Sequence, residues 1–171
     1  MKIGFIGLGR MGNPMVANLL AAGSKVVIHD LIRGGASNLE KKGAKWVDTV
    51  KEMAALCDVV ITCLPGQQQV NELVLGEDGL LNNLAEGSIY IDMSTTSAAA
   101  IQHLCEEGAK RGVRVMEAPL EGDIANAREA TLIMHVGGDD ELVGEMTATL
   151  QPIGEVRNEG ALGCGNNCLL A

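Results

Sequence analysis

Short runs of β-branched and aliphatic residues alternate along this chain with longer segments rich in Ala, Leu and Glu. The runs predict strands over Lys2–Ile6, Lys25–His29, Lys45–Val47, Asp58–Cys63, Ser88–Asp92, Val113–Glu117, Thr131–Val136 and Gly154–Arg157. The longer segments predict helices over Met11–Ala22, Gly35–Lys42, Thr49–Leu56, Gln67–Leu75, Ser97–Arg111 and Asp140–Leu150. The strands lack a clean in–out alternation, which is the mark of strands covered on both faces. Strand and helix taking turns in this way predicts an α/β architecture: a doubly wound, mostly parallel sheet with helices on each side. No internal repeat or low-complexity tract interrupts the pattern, and Gly160–Gly165 is the one stretch that reads as a linker.

Composition narrows the class. The 171 residues suit one domain with a substantial core. Lys and Arg total 13 against 22 Asp and Glu, a formal net charge of −9, so the chain is a poor candidate for gripping nucleic-acid phosphates. Phe5, Trp46 and Tyr90 are the only aromatics, too few for base stacking or a sugar cage. No apolar stretch approaches the ~18 residues of a membrane span. The run Ile3–Leu8 is too short for a secretory signal and is interrupted by glycines, which predicts a cytoplasmic protein. Cys57, Cys63, Cys105, Cys164 and Cys168 then read as reduced thiols. Cys164 and Cys168 have no His or Cys near them in sequence to complete a metal site, so none is predicted.

One motif carries a mechanism. Gly7-Leu8-Gly9-Arg10-Met11-Gly12 matches G-x-G-x-x-G, directly after a predicted strand and opening a predicted helix. Gly7 allows a tight turn, Gly9 lets a pyrophosphate approach the main chain, and Gly12 lets the helix pack against the strand. The helix N-terminus then offers unpaired N–H groups to the phosphates. Asp30, closing the second strand 18 residues beyond Gly12, can accept both hydroxyls of an adenosine ribose. Its charge repels a 2′-phosphate, which favours NAD, while nearby Arg33 keeps NADP as the alternative.

At this point the chain resembles the 3-hydroxyisobutyrate dehydrogenase (β-hydroxyacid dehydrogenase) family, to which 6-phosphogluconate dehydrogenase is related. The resemblance begins at GFIGLGRMGNPMVANLLAAG and continues through CLP at Cys63–Pro65, IDMSTTS at Ile91–Ser97 and EAPLEGD at Glu117–Asp123. It extends through ATLIMHVGGD at Ala130–Asp139 and GALGCG at Gly160–Gly165. It implies an NAD-binding Rossmann-type domain over residues 1–164, with residues 165–171 opening an interdomain helix. Cofactor contacts are implied at Leu8, Arg10 and Met11 of the turn, at Leu64, Pro65 and Gln69 near the adenosine half, and at Thr95 near the nicotinamide. Capping of the following helix before Ala98 is the alternative role for Thr95 and Thr96, and it would coexist with cofactor contact. The implied activity is hydride transfer between nicotinamide and a small hydroxyacid, in a protein whose full-length form is a homo-oligomer.

Three departures qualify that expectation. The family signature Asp-Ala-Pro-Val-Ser-Gly-Gly reads Glu117-Ala118-Pro119-Leu120-Glu121-Gly122-Asp123 here. Glu121 and Asp123 place negative charge where a substrate carboxylate docks, and at 4 Å that repulsion is worth about 4 kcal/mol in an effective dielectric of ~20. The family's catalytic lysine, four residues past the last glycine of Gly-x-Gly, falls on Leu169, which cannot move a proton. The chain also stops at Ala171, where family members run on into an all-helical domain. Two further readings therefore stand beside the hydroxyacid dehydrogenase. One is an imine reductase-like enzyme with Glu121 as proton donor or anchor; the other is a dinucleotide-binding module without chemistry.

Overall fold

The computed structural model describes residues Met1–Ala171 as one α/β unit. In chain order its elements are β1 (Lys2–Ile6), α1 (Gly12–Ala21), β2 (Lys25–His29), a 3-10 turn at Arg33–Ala36, α2 (Ser37–Glu40), β3 (Lys45–Trp46) and α3 (Val50–Leu56). There follow β4 (Val59–Thr62), α4 (Gln67–Leu75), α5 (Leu80–Asn83), β5 (Ile89–Asp92), α6 (Ala98–Ala109) and β6 (Arg114–Glu117). The last third holds β7 (Leu120–Glu121), α7 (Ile124–Glu129), β8 (Leu132–Gly137), α8 (Asp140–Leu150), β9 (Gly154–Gly160) and α9 (Cys164–Leu170).

Six strands lie parallel in the order β3-β2-β1-β4-β5-β6. This is the dinucleotide-fold order, with its topological switch beside β1. Past β6 the sheet turns antiparallel: β8 meets β6 at Gly137 and Glu117 and pairs with the short β7, while β9 runs parallel to β8. The absence of alternation has the expected cause, since β4 and β5 are buried at every position. Ile3, Phe5, Val59, Ile61, Ile89 and Ile91 share one apolar cluster with Met15, Val16 and Leu19 of α1 and Leu142 and Met146 of α8. Val60, Tyr90 and Val115 look the other way, into a second cluster with Met53 of α3, Val70 of α4 and Leu104 of α6.

Several expected boundaries move. The helix predicted over Gly35–Lys42 is a 3-10 turn followed by the single turn α2, because Gly34 and Gly35 weaken the helix where it should begin. Gly160–Gly165 is no linker: β9 runs through Gly160, α9 starts at Cys164, and the turn between them is tied to a buried carboxylate. The short elements α5, β7 and α7 went unpredicted. Of these, α7 opens on a reciprocal capping box in which the Asp123 side chain accepts from Asn126 N and the Asn126 side chain from Asp123 N, both at 3.0 Å.

Two glycines separate packing from propensity. A Cβ on Gly12 would collide with the Gly7 carbonyl oxygen and crowd Phe5, whereas one on exposed Gly144 in α8 would meet nothing within 4 Å. We expect Gly12→Ala to destabilise the chain by at least about 2 kcal/mol. Gly144→Ala should stabilise it by about 0.5–1 kcal/mol through helix propensity. Urea unfolding of the two variants measures both signs.

Candidate functional site

The carboxyl ends of β1, β2, β4, β5 and β6 gather the residues singled out in the sequence. The turn after β1 is shaped by close contact. Gly7 sits at φ +102°, and a Cβ there would strike the carbonyl of Cys63 at the end of β4. Gly9 differs: it is exposed, and a Cβ added to it would meet no protein atom within 4 Å. Helix α1 has neither a side-chain N-cap nor an acidic residue in its first turn, so its positive end is left to an outside anion. A groove of about 490 Å³ begins at Gly9 and Arg10 and follows α1 to Ala21. It meets the turn at one end only and does not reach the ends of β4 and β5.

Half-buried Asp30, just past β2, is already at work in the protein. One carboxylate oxygen accepts from Leu8 N at 2.6 Å and the other from Ile32 N at 2.8 Å. Each oxygen keeps a further lone pair for an outside hydroxyl. Leu31 and Ile32 beside it are 96% and 74% exposed, a bare apolar surface next to that carboxylate. Arg33 is held by Glu40 at 3.2 Å and Asp48 at 3.6 Å and lies over the Trp46 ring, 5.1 Å from its centroid.

The ends of β4 and β5 are joined by a polar network. Leu64 N donates to Ser94 Oγ at 2.9 Å, and Thr62 Oγ1 and Ser94 N both donate to Asp92 Oδ1. Asp92 is fully buried and its Oδ2 has no partner. Burial pushes its carboxyl up to about 6, and the Glu117 charge adds to that, against the pull of the Ser94 and Thr62 hydrogen bonds. The Cys63 thiol is pushed up to about 12 by burial and then by Asp92, which removes it as a thiolate nucleophile. Around this network Pro65, Gln69 and Thr95 are exposed and Leu64 is half-buried. Capping of α6 belongs to neither threonine: Ser97 is the N-cap, its side chain accepting from Ala100 N.

Glu117, at the end of β6, is buried and accepts four hydrogen bonds. They come from Gly163 N, Gly165 N at 3.0 Å, Asn166 N at 3.1 Å and the Asn166 side-chain amide. Asn166 Oδ1 in turn accepts from Thr96 N at 2.8 Å. The carboxylate therefore pins α9 across the ends of β5 and β6. Leu169 lies half-buried on that helix.

The acidic loop is less charged than the sequence suggests. Glu121 is not free: its Oε2 lies 2.7 Å from His135 Nε2, and His135 Nδ1 lies 2.7 Å from Glu159 Oε1. Burial disfavours the imidazolium, but the hydrogen bonds it donates to Glu159 and Glu121 outweigh that and raise the His135 pKa. Asp123 is spent as the α7 cap, and Gly122 sits at φ +128° against Leu132. The repulsion expected of two bare carboxylates is thus offset by one imidazole and one helix terminus. His135 was missed in the sequence, although a lone polar residue inside LIMHVGG was the signal. Cys168 also gains in space the neighbours it lacks in sequence, His135 and Glu159.

Comparison with known proteins gives this geometry a context. Residues 2–168 match the family described as the NAD binding domain of 6-phosphogluconate dehydrogenase. The 3-hydroxyisobutyrate dehydrogenase of Pseudomonas aeruginosa is 37% identical over 98% of this chain and 59% of its own. The solved Mycobacterium tuberculosis 3-hydroxyisobutyrate dehydrogenase with L-serine is 32% identical, with a TM-score of 0.92 over 99% of this chain and 57% of that one. An imine reductase from Myxococcus stipitatus in complex with NAD+ is 18% identical and shares the fold, with a TM-score of 0.90 over 99% of this chain and 58% of its own. The chain spans about half the length of the curated relatives it matches.

Two outcomes follow from the buried carboxylates. Glu117→Ala should orphan three backbone N–H groups, cost at least about 3 kcal/mol and strip hydrogen-exchange protection from Gly163–Asn166 before the rest of the sheet. Asp92 binds its proton more tightly folded than unfolded, so its ionisation penalty is present above about pH 6 and fades as pH falls toward 3.8. The shift corresponds to roughly 3 kcal/mol. The stability difference between wild type and Asp92→Asn should therefore move by about that much, in favour of wild type, between pH 7 and pH 4, as read by chemical denaturation.

Proposed function

Because the chain belongs to the family of NAD-binding domains of 6-phosphogluconate dehydrogenase and its 3-hydroxyisobutyrate dehydrogenase relatives, we propose that its glycine turn and Asp30 hold an NAD dinucleotide for hydride transfer. The observation that carries the reading is the contrast among the three glycines. Packing requires Gly7 and Gly12, while nothing in the protein requires Gly9, whose missing side chain leaves open the place a pyrophosphate would take beside the uncapped end of α1. Leu8, Arg10 and Met11 complete that cradle. Asp30 accepts the ribose hydroxyls with the lone pairs it has left, and Leu31 and Ile32 offer their exposed faces to the adenine. Arg33, engaged by Glu40, Asp48 and Trp46, is poorly placed to receive a 2′-phosphate, which supports NAD over NADP. Leu64, Pro65 and Gln69 border the adenosine side and Thr95 the nicotinamide side.

The cofactor supplies the two-electron chemistry; the chain supplies position. The substrate class we assign is a small hydroxyacid, approached past Glu121 and Gly122, in a protein that is oligomeric at full length and sits in the cytoplasm. No helix is long and apolar enough to cross a membrane, and all five cysteines are unpaired. We read α9 as the first turns of an interdomain helix. Leu169 favours a second reading, a dinucleotide-binding module without turnover, because that position offers no proton.

Gly9→Val tests the cradle. The variant should keep its melting temperature within a few degrees, since a Cβ at this exposed position meets no protein atom within 4 Å, yet lose at least ~100-fold in NAD affinity by calorimetry, about 2.7 kcal/mol. Unchanged affinity would overturn the reading.

A further inference from the structure

Sequence distance conceals a compact donor set at the far end of the sheet. His135 on β8, Glu159 on β9 and Cys168 on α9 bring a ring nitrogen, a carboxylate oxygen and a thiol sulfur within 4.8 Å of one another. Three elements converge to do this. The parallel β8–β9 pairing slips between Val136 and Gly137, so that Asn158 and Gly160 are paired and Glu159 is the extra residue of a bulge. The bulge sets Glu159 Oε1 2.7 Å from His135 Nδ1, and the Cys168 sulfur lies within 4.8 Å of both. Helix α9, pinned by Glu117, fixes the third donor.

We infer that His135 Nδ1, the Glu159 carboxylate and the Cys168 thiolate bind a single zinc ion. One nitrogen, one oxygen and one sulfur donor match the ligand preferences of that cation, and the two anionic donors balance its charge. The arrangement behind the histidine is the second argument. Glu121 Oε2 lies 2.7 Å from His135 Nε2, so once the ion takes the place of any proton on Nδ1 a carboxylate still accepts from the far nitrogen and holds the ring toward Glu159 and Cys168. His135 is held rigidly, its side chain 8% exposed, whereas Cys168 faces solvent and leaves an entry path and a fourth position for water. The balance of the step is simple: the ion displaces the thiol proton of Cys168 and any proton on His135 Nδ1, both released to solvent. The site makes no use of the glycine turn, so it stands or falls apart from dinucleotide binding.

The reduced full chain, without NAD, is titrated with Zn2+ by calorimetry, and with Co2+ by absorption to detect a thiolate-to-metal band. The expected result is one ion per chain, with the band present. Cys168→Ser should abolish the band and weaken Zn2+ at least tenfold, and since Cys168 is exposed the fold should persist. His135→Gln should weaken Zn2+ similarly, Glu121→Gln should do so by about tenfold through the lost orientation, and Cys105→Ser should change nothing. Absence of one-to-one binding by wild type would overturn the inference. So would Zn2+ affinity that is the same in wild type, Cys168→Ser and His135→Gln.

Discussion

Helix α1 comes so close to the end of β1 that no side chain fits between Gly12 and the Gly7 carbonyl. The candidate site depends on that contact. It aims the axis of α1 at the carboxyl edge of the sheet, sets the sharp path of the turn over Cys63, and brings Leu8 N within reach of Asp30 on the neighbouring strand. A larger residue at either glycine would tilt the helix, and the uncapped N–H groups would then point away from the strand ends. The apolar faces of α1 and β1 reinforce the arrangement through Met15, Val16, Leu19 and Phe5.

The carboxyl edge is also where the core ceases to be apolar. Thr62, Asp92, Ser94, Thr96, Glu117 and Asn166 are all buried there, linked mainly by charge-assisted and amide hydrogen bonds. Such networks are costly unless complete, and this one is nearly so: among its side-chain atoms only Asp92 Oδ2 and Thr96 Oγ1 are left without partners. What the network provides is direction. Apolar packing alone would let α9 slide on the strand ends, whereas four hydrogen bonds to one carboxylate define a single pose.

The parallel strands were legible because burial on both faces forces unbroken aliphatic runs, and the glycine turn because each glycine answers a local geometric demand. Elements shorter than the period that would reveal them were not legible: β7 is two residues and α5 a single turn. Asp123 was read as a pocket charge because its role as a cap depends on Asn126 accepting in return, a reciprocity that a charge pattern does not display. The same holds for Glu121. Its partner His135 is 14 residues away and belongs to an antiparallel strand whose register the hydrophobic pattern alone does not specify. Glu117 was placed by its motif, but its function as the anchor of α9 depends on a contact with residues 46 to 49 positions later.

Asp30 joins two tasks that are usually discussed apart. Its carboxylate holds the Leu8 amide, hence the shape of the glycine turn, and under the proposed function the same two oxygens would receive a ribose. The two halves of the proposed dinucleotide site would then be coupled through one side chain. A sugar drawing on Asp30 would tighten or relax the loop proposed to receive the phosphates, so the free energies of the adenosine and pyrophosphate moieties would not sum independently.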